Sequence, residues 1–285
     1  MNLLLNPLTK RQVDSYLSYP SHALILAAPT GSGKGALANE LAVRLLKTDT
    51  DRLQNHPYVL VVAQSGQSVG IDEVRRIQAF LKLKTTGIQP IRRVVIVEDS
   101  QKMTIEAQNA FLKILEEPPK DTVIILTVKD EKTLLPTIVS RSQIIRVQPV
   151  SIVEVKAHIE SVNDLEKKYH MSGGRMGLLS ALLDKSSDNT FASDISYAKQ
   201  LIRLGSYERV VEADSLSRDK DRIEGLLEAL ERVSHAGLLQ AGKTGNNKDI
   251  KRWQQALKQI IKSKGAFAAN AQPKLLLTDL LLNLV

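Results

Sequence analysis

The sequence predicts a doubly wound α/β domain with a phosphate-binding turn after its first strand, followed by an all-helical region. Three observations carry this. Five short apolar runs alternate with stretches of helical periodicity over residues 23–147. A Gly-rich turn ending in a lysine separates the first run from the first strong helix. Beyond Pro149 the strand signal stops and only helical spacing continues.

Residues 9–17 read as a short opening helix with Thr9 as its cap, and His22 leads into the first strand as a structural residue. The strand is the run Ala23-Leu24-Ile25-Leu26-Ala27, and residues 36–42, rich in Ala and Leu, form the helix after the turn. Residues 47–57 are polar and loop-like, residues 58–63 a second strand, and 66–70 a turn. Residues 71–83 place Ile71, Val74, Ile77, Phe80 and Leu81 on one helical face, with Arg75 and Arg76 on the other. The third strand, residues 93–97, ends in Glu98 and Asp99. A helix over 103–117 stops at Pro118-Pro119, with Met103 and Phe111 as core residues. Residues 123–127 form a fourth strand, 134–140 a short helix, and 144–147 a fifth strand. Strands buried on both faces read as continuous apolar runs, so the sheet is expected to be mostly parallel.

The helical part reads as segments over 151–161, 165–170, 176–183, 191–204, 207–216, 221–241 and 248–264. Ser172-Gly173-Gly174-Arg175 breaks it once, and residues 186–189 form a loop. The Gly-Lys-Thr-Gly-Asn-Asn stretch at 242–247 is read as a linker turn, and no apolar strand precedes it to make it a phosphate site. Pro273 opens a last Leu-rich helix at its N1 position.

The turn Ala28-Pro29-Thr30-Gly31-Ser32-Gly33-Lys34-Gly35 meets G-x-x-x-x-G-K-[S/T] only in part. Backbone N–H groups of Thr30, Gly31, Ser32, Gly33, Lys34 and Gly35 can cradle phosphate oxygens at a helix N-terminus, and Lys34 adds charge. Ala28 stands where the first glycine belongs, and is expected to tolerate the turn at some strain. Gly35 stands where a hydroxyl residue would hold Mg²⁺. Glu98 and Asp99 reverse the order of the Asp-Glu pair that orders Mg²⁺ and activates water in P-loop ATPases. Each carboxylate is displaced by about one methylene, and catalysis feels shifts of about 1 Å. The expectation is phosphate binding without hydrolysis.

The net charge of +8 suits an anionic polymer, while the 4% aromatic content disfavours a base-stacking platform, so phosphate contacts would have to bind it. With no cysteine, disulfides and thiolate metal sites are excluded. The absence of a charged-then-apolar leader, and of any apolar run near the ~18 residues of a membrane span, sets a cytoplasmic expectation.

The segment Asn109-Ala110-Phe111-Leu112-Lys113-Ile114-Leu115-Glu116-Glu117-Pro118-Pro119 resembles the NALLKxLEEPP stretch of bacterial DNA polymerase III clamp-loader subunits. Ser140-Arg141-Ser142 is similar to their SRC motif, residues 20–26 to PHAYLF, and residues 268–275 to AANANPKL. These likenesses span nearly the whole chain. The resemblance implies an AAA+ P-loop domain (1–150), a small helical lid (151–206) and an all-α collar that oligomerises (207–285). It also implies a role for Arg141: a finger reaching ATP on a neighbouring subunit. Arg175 falls where the lid's nucleotide-sensing arginine would sit, Thr127 where a polar sensor would, and Arg75 and Arg76 where DNA backbone contacts would. Ala28, Gly35 and the Glu98-Asp99 reversal match the delta-prime branch, in which the motor machinery is often degraded. The four-cysteine zinc module of many relatives is absent from the sequence, so no zinc is expected.

The expected function is therefore a non-hydrolysing, delta-prime-like clamp-loader subunit, binding ATP or ADP without turnover or neither. Its implied partners are the gamma/tau and delta subunits, the sliding clamp and primer–template DNA. The rival is a hydrolysing gamma/tau-like motor subunit with Mg²⁺ held by Glu98 and waters. A small-molecule P-loop kinase is a third reading, disfavoured by the helical C-terminal third.

Overall fold

The computed structural model describes residues 3–62, 68–159, 164–184 and 190–284. They group into two compact units, 1–158 and 159–285.

The first unit runs α1 (Pro7–Ser18), β1 (Ala23–Ala27), α2 (Lys34–Leu46), α3 (Thr50–Leu53), β2 (Val59–Val62), α4 (Ile71–Leu81) and β3 (Arg93–Val97). It continues through α5 (Ile105–Glu116), β4 (Thr122–Val128), α6 (Pro136–Val139), β5 (Gln143–Arg146) and α7 (Ile152–His158). The five strands form one sheet in the order β2-β3-β4-β1-β5, every pair parallel. Alternation along each strand feeds two cores. Ile25, Val95, Val97, Ile124 and Leu126 pack with Val74 and Ile77 of α4 and Phe111 of α5. Leu24, Leu26, Val94, Ile96, Val123 and Ile125 pack with Val13 and Tyr16 of α1 and with Leu37 and Leu41 of α2. Helices thus cover both faces, and β1 is buried at all five positions. Met103 and Phe111 are buried as expected.

Local chemistry corrects several boundaries. The cap of α1 is Asn6, whose Oδ1 accepts the Leu8 N–H at 2.9 Å, with Pro7 in the first turn. Thr9 is instead fully buried, and its Oγ1 accepts the Gln148 N–H at 2.9 Å, tying α1 to the segment after β5. The polar stretch 47–57 contains the single turn α3. A 3₁₀ turn, Ser100–Lys102, precedes α5, whose cap is Thr104, accepting from Ala107 N–H at 3.2 Å. Arg93, inside an otherwise apolar strand, is buried and donates to the Leu81 and Leu83 carbonyls while lying over the Phe80 ring. It ties the exit of α4 to the sheet.

The second unit comprises α8 (Leu165–Ser172), α9 (Met176–Leu183), α10 (Thr190–Arg203), α11 (Ser206–Leu216), α12 (Lys220–Thr244), α13 (Asn247–Ala268) and α14 (Pro273–Leu282). α12 continues through Gly242-Lys243-Thr244, so the expected linker turn is shorter, at Gly245 (φ 69°) and the Asn246 cap of α13. Gly237 lets α12 and α13 approach closely: a Cβ there would run into the Trp253 ring. Leu276, Leu277, Leu280 and Leu281 of α14 are buried with Ile223, Leu227 and Leu230 of α12. The expected loop at 186–189, and part of the turn at 66–70, lie outside the described residues.

Candidate functional site

The β1–α2 turn leaves the carboxyl end of β1, between β4 and β5, where parallel sheets place ligands. Ala28 donates its N–H to the Val128 carbonyl at 3.0 Å, prolonging the ladder, and its φ is not positive. The strain expected of alanine here is therefore absent. Gly31 (φ 75°) and Gly33 (φ 88°) take the left-handed conformations that open the turn and start α2 at Lys34. Thr30 is exposed, Gly31 and Gly33 are half-buried, and the Ser32 hydroxyl oxygen is buried without a hydrogen-bond partner. Such an orphaned donor inside a ring of N–H groups fits a phosphate oxygen.

Lys34 is buried, with Nζ 3.7 Å from Asp99 Oδ1. Burial holds its ammonium below the ordinary lysine range, against the pull of Asp99 and with the nearby Lys129 charge adding to the depression. Asp99 sits just past β3 in a left-handed conformation (φ 46°), held by its N–H donating to Thr127 Oγ1 at 3.0 Å. Gln101 Nε2 donates to Asp99 Oδ1 at 3.1 Å, and its Oε1 accepts the Lys129 N–H at 3.2 Å. Glu98 prolongs the ladder through its N–H to the Val62 carbonyl at 2.9 Å. Its carboxylate faces Gly35: a Cβ built on Gly35 would lie 3.4 Å from Glu98 Oε1. The acid thus lies in contact distance of any side chain placed at position 35. The turn fits phosphate; the donor set lacks the hydroxyl that Mg²⁺ takes in a complete P-loop.

The fold therefore brings together Thr30, Gly31, Ser32, Gly33, Lys34, Gly35, Glu98, Asp99 and Thr127. Sequence reading missed Gln101 and Lys129. Lys129 directly follows β4, the neighbour of β1, so the switch-point rule for parallel sheets would have pointed to it. Gln101 in a 3₁₀ turn gives no such signal.

Arg141 lies elsewhere. It follows α6 and precedes β5, whose Gln143 pairs with Leu24 near the start of β1. Strand β1 alone then separates Arg141 from the phosphate turn by about 10 Å, before either loop is counted. Its guanidinium donates to the Thr137 carbonyl at 3.2 Å and to Glu116 Oε1 at 3.1 Å. Arg75 and Arg76 are exposed on α4 and pair with Asp72 (2.8 Å) and Glu73 (3.5 Å) of the same helix. Arg175 belongs to the helical unit, where it donates to Glu228 Oε1 at 2.9 Å. Glu228 also accepts from Arg232 and Lys264 at 2.9 Å each. Burial pushes the Glu228 carboxyl up, but the Lys264 and Arg232 bonds and charges prevail and hold it at about 2.

A parallel sheet with helices on both faces and a phosphate-binding turn after an interior strand defines a P-loop α/β fold. A solved DNA polymerase III gamma subunit-related protein of Thermotoga maritima shares this fold: TM-score 0.53 at 22% identity, covering 96% of this chain and 97% of that one. Residues 16–151 match the family described as "DNA polymerase III, delta subunit". DNA polymerase III subunit delta' of Pseudomonas aeruginosa is 34% identical over 137 residues, 42% of this chain and 41% of the relative. That of Bacillus subtilis is 29% identical over 163 residues, 53% and 47% of the two chains. The chain thus spans less than half the length of these curated relatives. Over the matched residues the chain is similar to the delta' subunits of DNA polymerase III.

Proposed function

We propose that the chain works as a non-hydrolysing, delta-prime-like subunit of a replicative clamp loader, lending Arg141 to ATP held by a neighbouring subunit. The observation that carries the reading is the Gly35–Glu98 arrangement: a phosphate cradle with a buried lysine, no side chain at the position of the metal-binding hydroxyl, and the Glu98 carboxylate beside it. In a P-loop ATPase the hydroxyl and the acid together order Mg²⁺, which neutralises charge developing on the transferring phosphoryl group. Here the turn's N–H groups, Ser32 and Lys34 hold phosphate, and the activation of water by a correctly spaced acid is missing. Nucleotide binds without turnover and stiffens the turn.

Arg141 lies toward the end of the sheet opposite the phosphate turn, which supports action on another chain's nucleotide. A guanidinium supplied in trans stabilises γ-phosphate charge and raises turnover by orders of magnitude. In this reading the sheet unit sits beside gamma/tau-like and delta subunits, the helices of 207–285 form the collar, and residues 151–206 form the lid. Arg75 and Arg76 exchange their weak surface pairs for the DNA backbone as the complex loads a sliding clamp on primed DNA in the cytoplasm. The engagement of Arg175 by Glu228 supports a structural part for that arginine over nucleotide sensing.

The test is ATP binding and hydrolysis by the isolated chain with Mg²⁺. Binding without turnover is expected. Turnover that Lys34→Ala abolishes would favour the hydrolysing, gamma/tau-like reading instead.

A further inference from the structure

Glu116 is the last residue of α5 and is followed by another acid, Glu117. Negative charge at a helix C-terminus opposes the helix dipole, so this position is unfavourable for α5 itself. The side chain reaches across instead to Arg141, 25 residues later, with Oε1 accepting from the guanidinium at 3.1 Å. The other anchor is the Thr137 carbonyl, which accepts at 3.2 Å from the opposite terminal nitrogen. Two fixed acceptors on different elements define the plane of the guanidinium, and the rest of its five N–H donors are left for an incoming anion. The Arg141 backbone is fixed as well, by its N–H to the Ile138 carbonyl at 3.2 Å. Arg141 remains 38% exposed on its side chain and Glu116 50% exposed, so the pair lies at the surface.

We infer that Glu116 is a positioning residue, orienting Arg141 for the phosphate of a nucleotide held by an adjoining subunit. This rests on the reading of Arg141 as a finger in trans. An exposed pair contributes only about 0–1 kcal/mol to folding, so Glu116 acts on presentation. A flexible arginine without this anchor samples many rotamers and reaches the productive geometry in a fraction of encounters. The neighbour's turnover at saturating ATP therefore falls while its KM for ATP stays constant, because the finger matters when phosphoryl charge develops.

The experiment uses the assembled clamp-loader complex with this chain as wild type, Glu116→Ala, Glu116→Gln, Arg141→Ala and the Glu116→Ala/Arg141→Ala pair. ATP turnover is measured with clamp and primed DNA, and assembly is checked by size-exclusion chromatography. Arg141→Ala is expected to lower kcat by at least about 100-fold, the scale of a transition-state donor. Glu116→Ala lowers it by about 10-fold at constant KM, well within the loss that a small misplacement produces. Glu116→Gln, which keeps the length and an acceptor oxygen, loses less and covers the case in which the alanine variant does not assemble. The double variant matches Arg141→Ala alone, since the two act through one group. If Arg141→Ala is damaging while Glu116→Ala and Glu116→Gln are both silent, the positioning role is overturned and the finger stands. If the double variant is clearly worse than Arg141→Ala, Glu116 acts through something other than Arg141 and the inference also fails. If Arg141→Ala leaves turnover intact, the finger reading itself falls, and this inference with it.

Discussion

Glu98 Oε1 lies 3.4 Å from the position that a Cβ on Gly35 would occupy, so the longer acid and the missing side chain fit one another. A Cβ is accommodated at that distance, and the further γ atoms of a threonine would have to fit beside the carboxylate. Gly35→Thr alone is expected to leave Mg²⁺-dependent nucleotide affinity unchanged or lower. Gly35→Thr with Glu98→Asp shortens the acid as it adds the hydroxyl, and the affinity with Mg²⁺ rises above both single variants. Calorimetric titration of ATP with and without Mg²⁺ across the four proteins checks this; additive effects would show that the residues are independent.

Lys34 is buried beside a half-exposed partner, Asp99, and its ammonium is held below its ordinary range, chiefly by burial. Between that depressed pKa and the usual 10.5, the unfolded chain keeps a proton that the folded chain has lost, so this group makes stability rise with pH across the window. Bound phosphate restores the proton, so nucleotide affinity declines as pH enters the same window. Lys34→Met is expected to leave apo stability within about 1 kcal/mol of wild type, because an imperfectly paired buried charge is removed. It should abolish the stabilisation by ATP, which for wild type is about 2.7 kcal/mol at 100-fold excess over Kd. Thermal denaturation with and without ATP reads both effects.

Much of this was legible in the sequence. The strands of the sheet were, because runs such as Leu24-Ile25-Leu26 and Val94-Val95-Ile96 are buried on both faces and carry no polar interruption. The phosphate turn was, because its glycines and lysine are fixed by backbone geometry and charge. What was not legible depends on contacts distant in sequence. Thr9 looks like a cap but serves Gln148, while Asn6, three residues earlier, supplies the capping oxygen. Gln101 and the Glu116 anchor come into place only when β4, α5 and α6 are packed, whereas Lys129 could have been read from its place just after β4. Single-turn α3 is too short to display a period.

Glu228 binds three cations from three places in the helical unit, Arg175, Arg232 and Lys264. Its carboxyl, normally at 4.5, is held at about 2, so its stabilisation is full above the usual value and is lost as pH falls from there toward about 2. Glu228→Ala is expected to destabilise the chain by roughly 2–3 kcal/mol at pH 7, below the range for a fully buried pair because the Glu228 side chain is partly exposed. The difference from wild type shrinks as pH is lowered through that window. Urea denaturation at pH 7 and in the acid window tests this; a pH-independent difference would mean that packing, not charge, holds the cluster.

Arg75 and Arg76 pair with acids on their own helix, so any DNA contact there exchanges one weak surface pair for another. If both reach phosphates, replacing both by alanine lowers the salt slope of primed-DNA binding by about 2, close to 0.9 per phosphate, without changing sequence preference. Fluorescence anisotropy of the assembled complex across a salt series measures it, and an unchanged slope removes α4 from the interface.

In the proposed function this chain supplies chemistry to a neighbour and performs none at its own turn. The most direct measurement is DNA- and clamp-stimulated ATP turnover of the assembled complex, comparing wild type with Arg141→Ala, beside turnover by the chain alone. The expected result is a collapse by about two orders of magnitude or more in the complex, and silence from the chain alone. Full turnover with Arg141→Ala, or hydrolysis by the isolated chain that depends on Lys34, would contradict it.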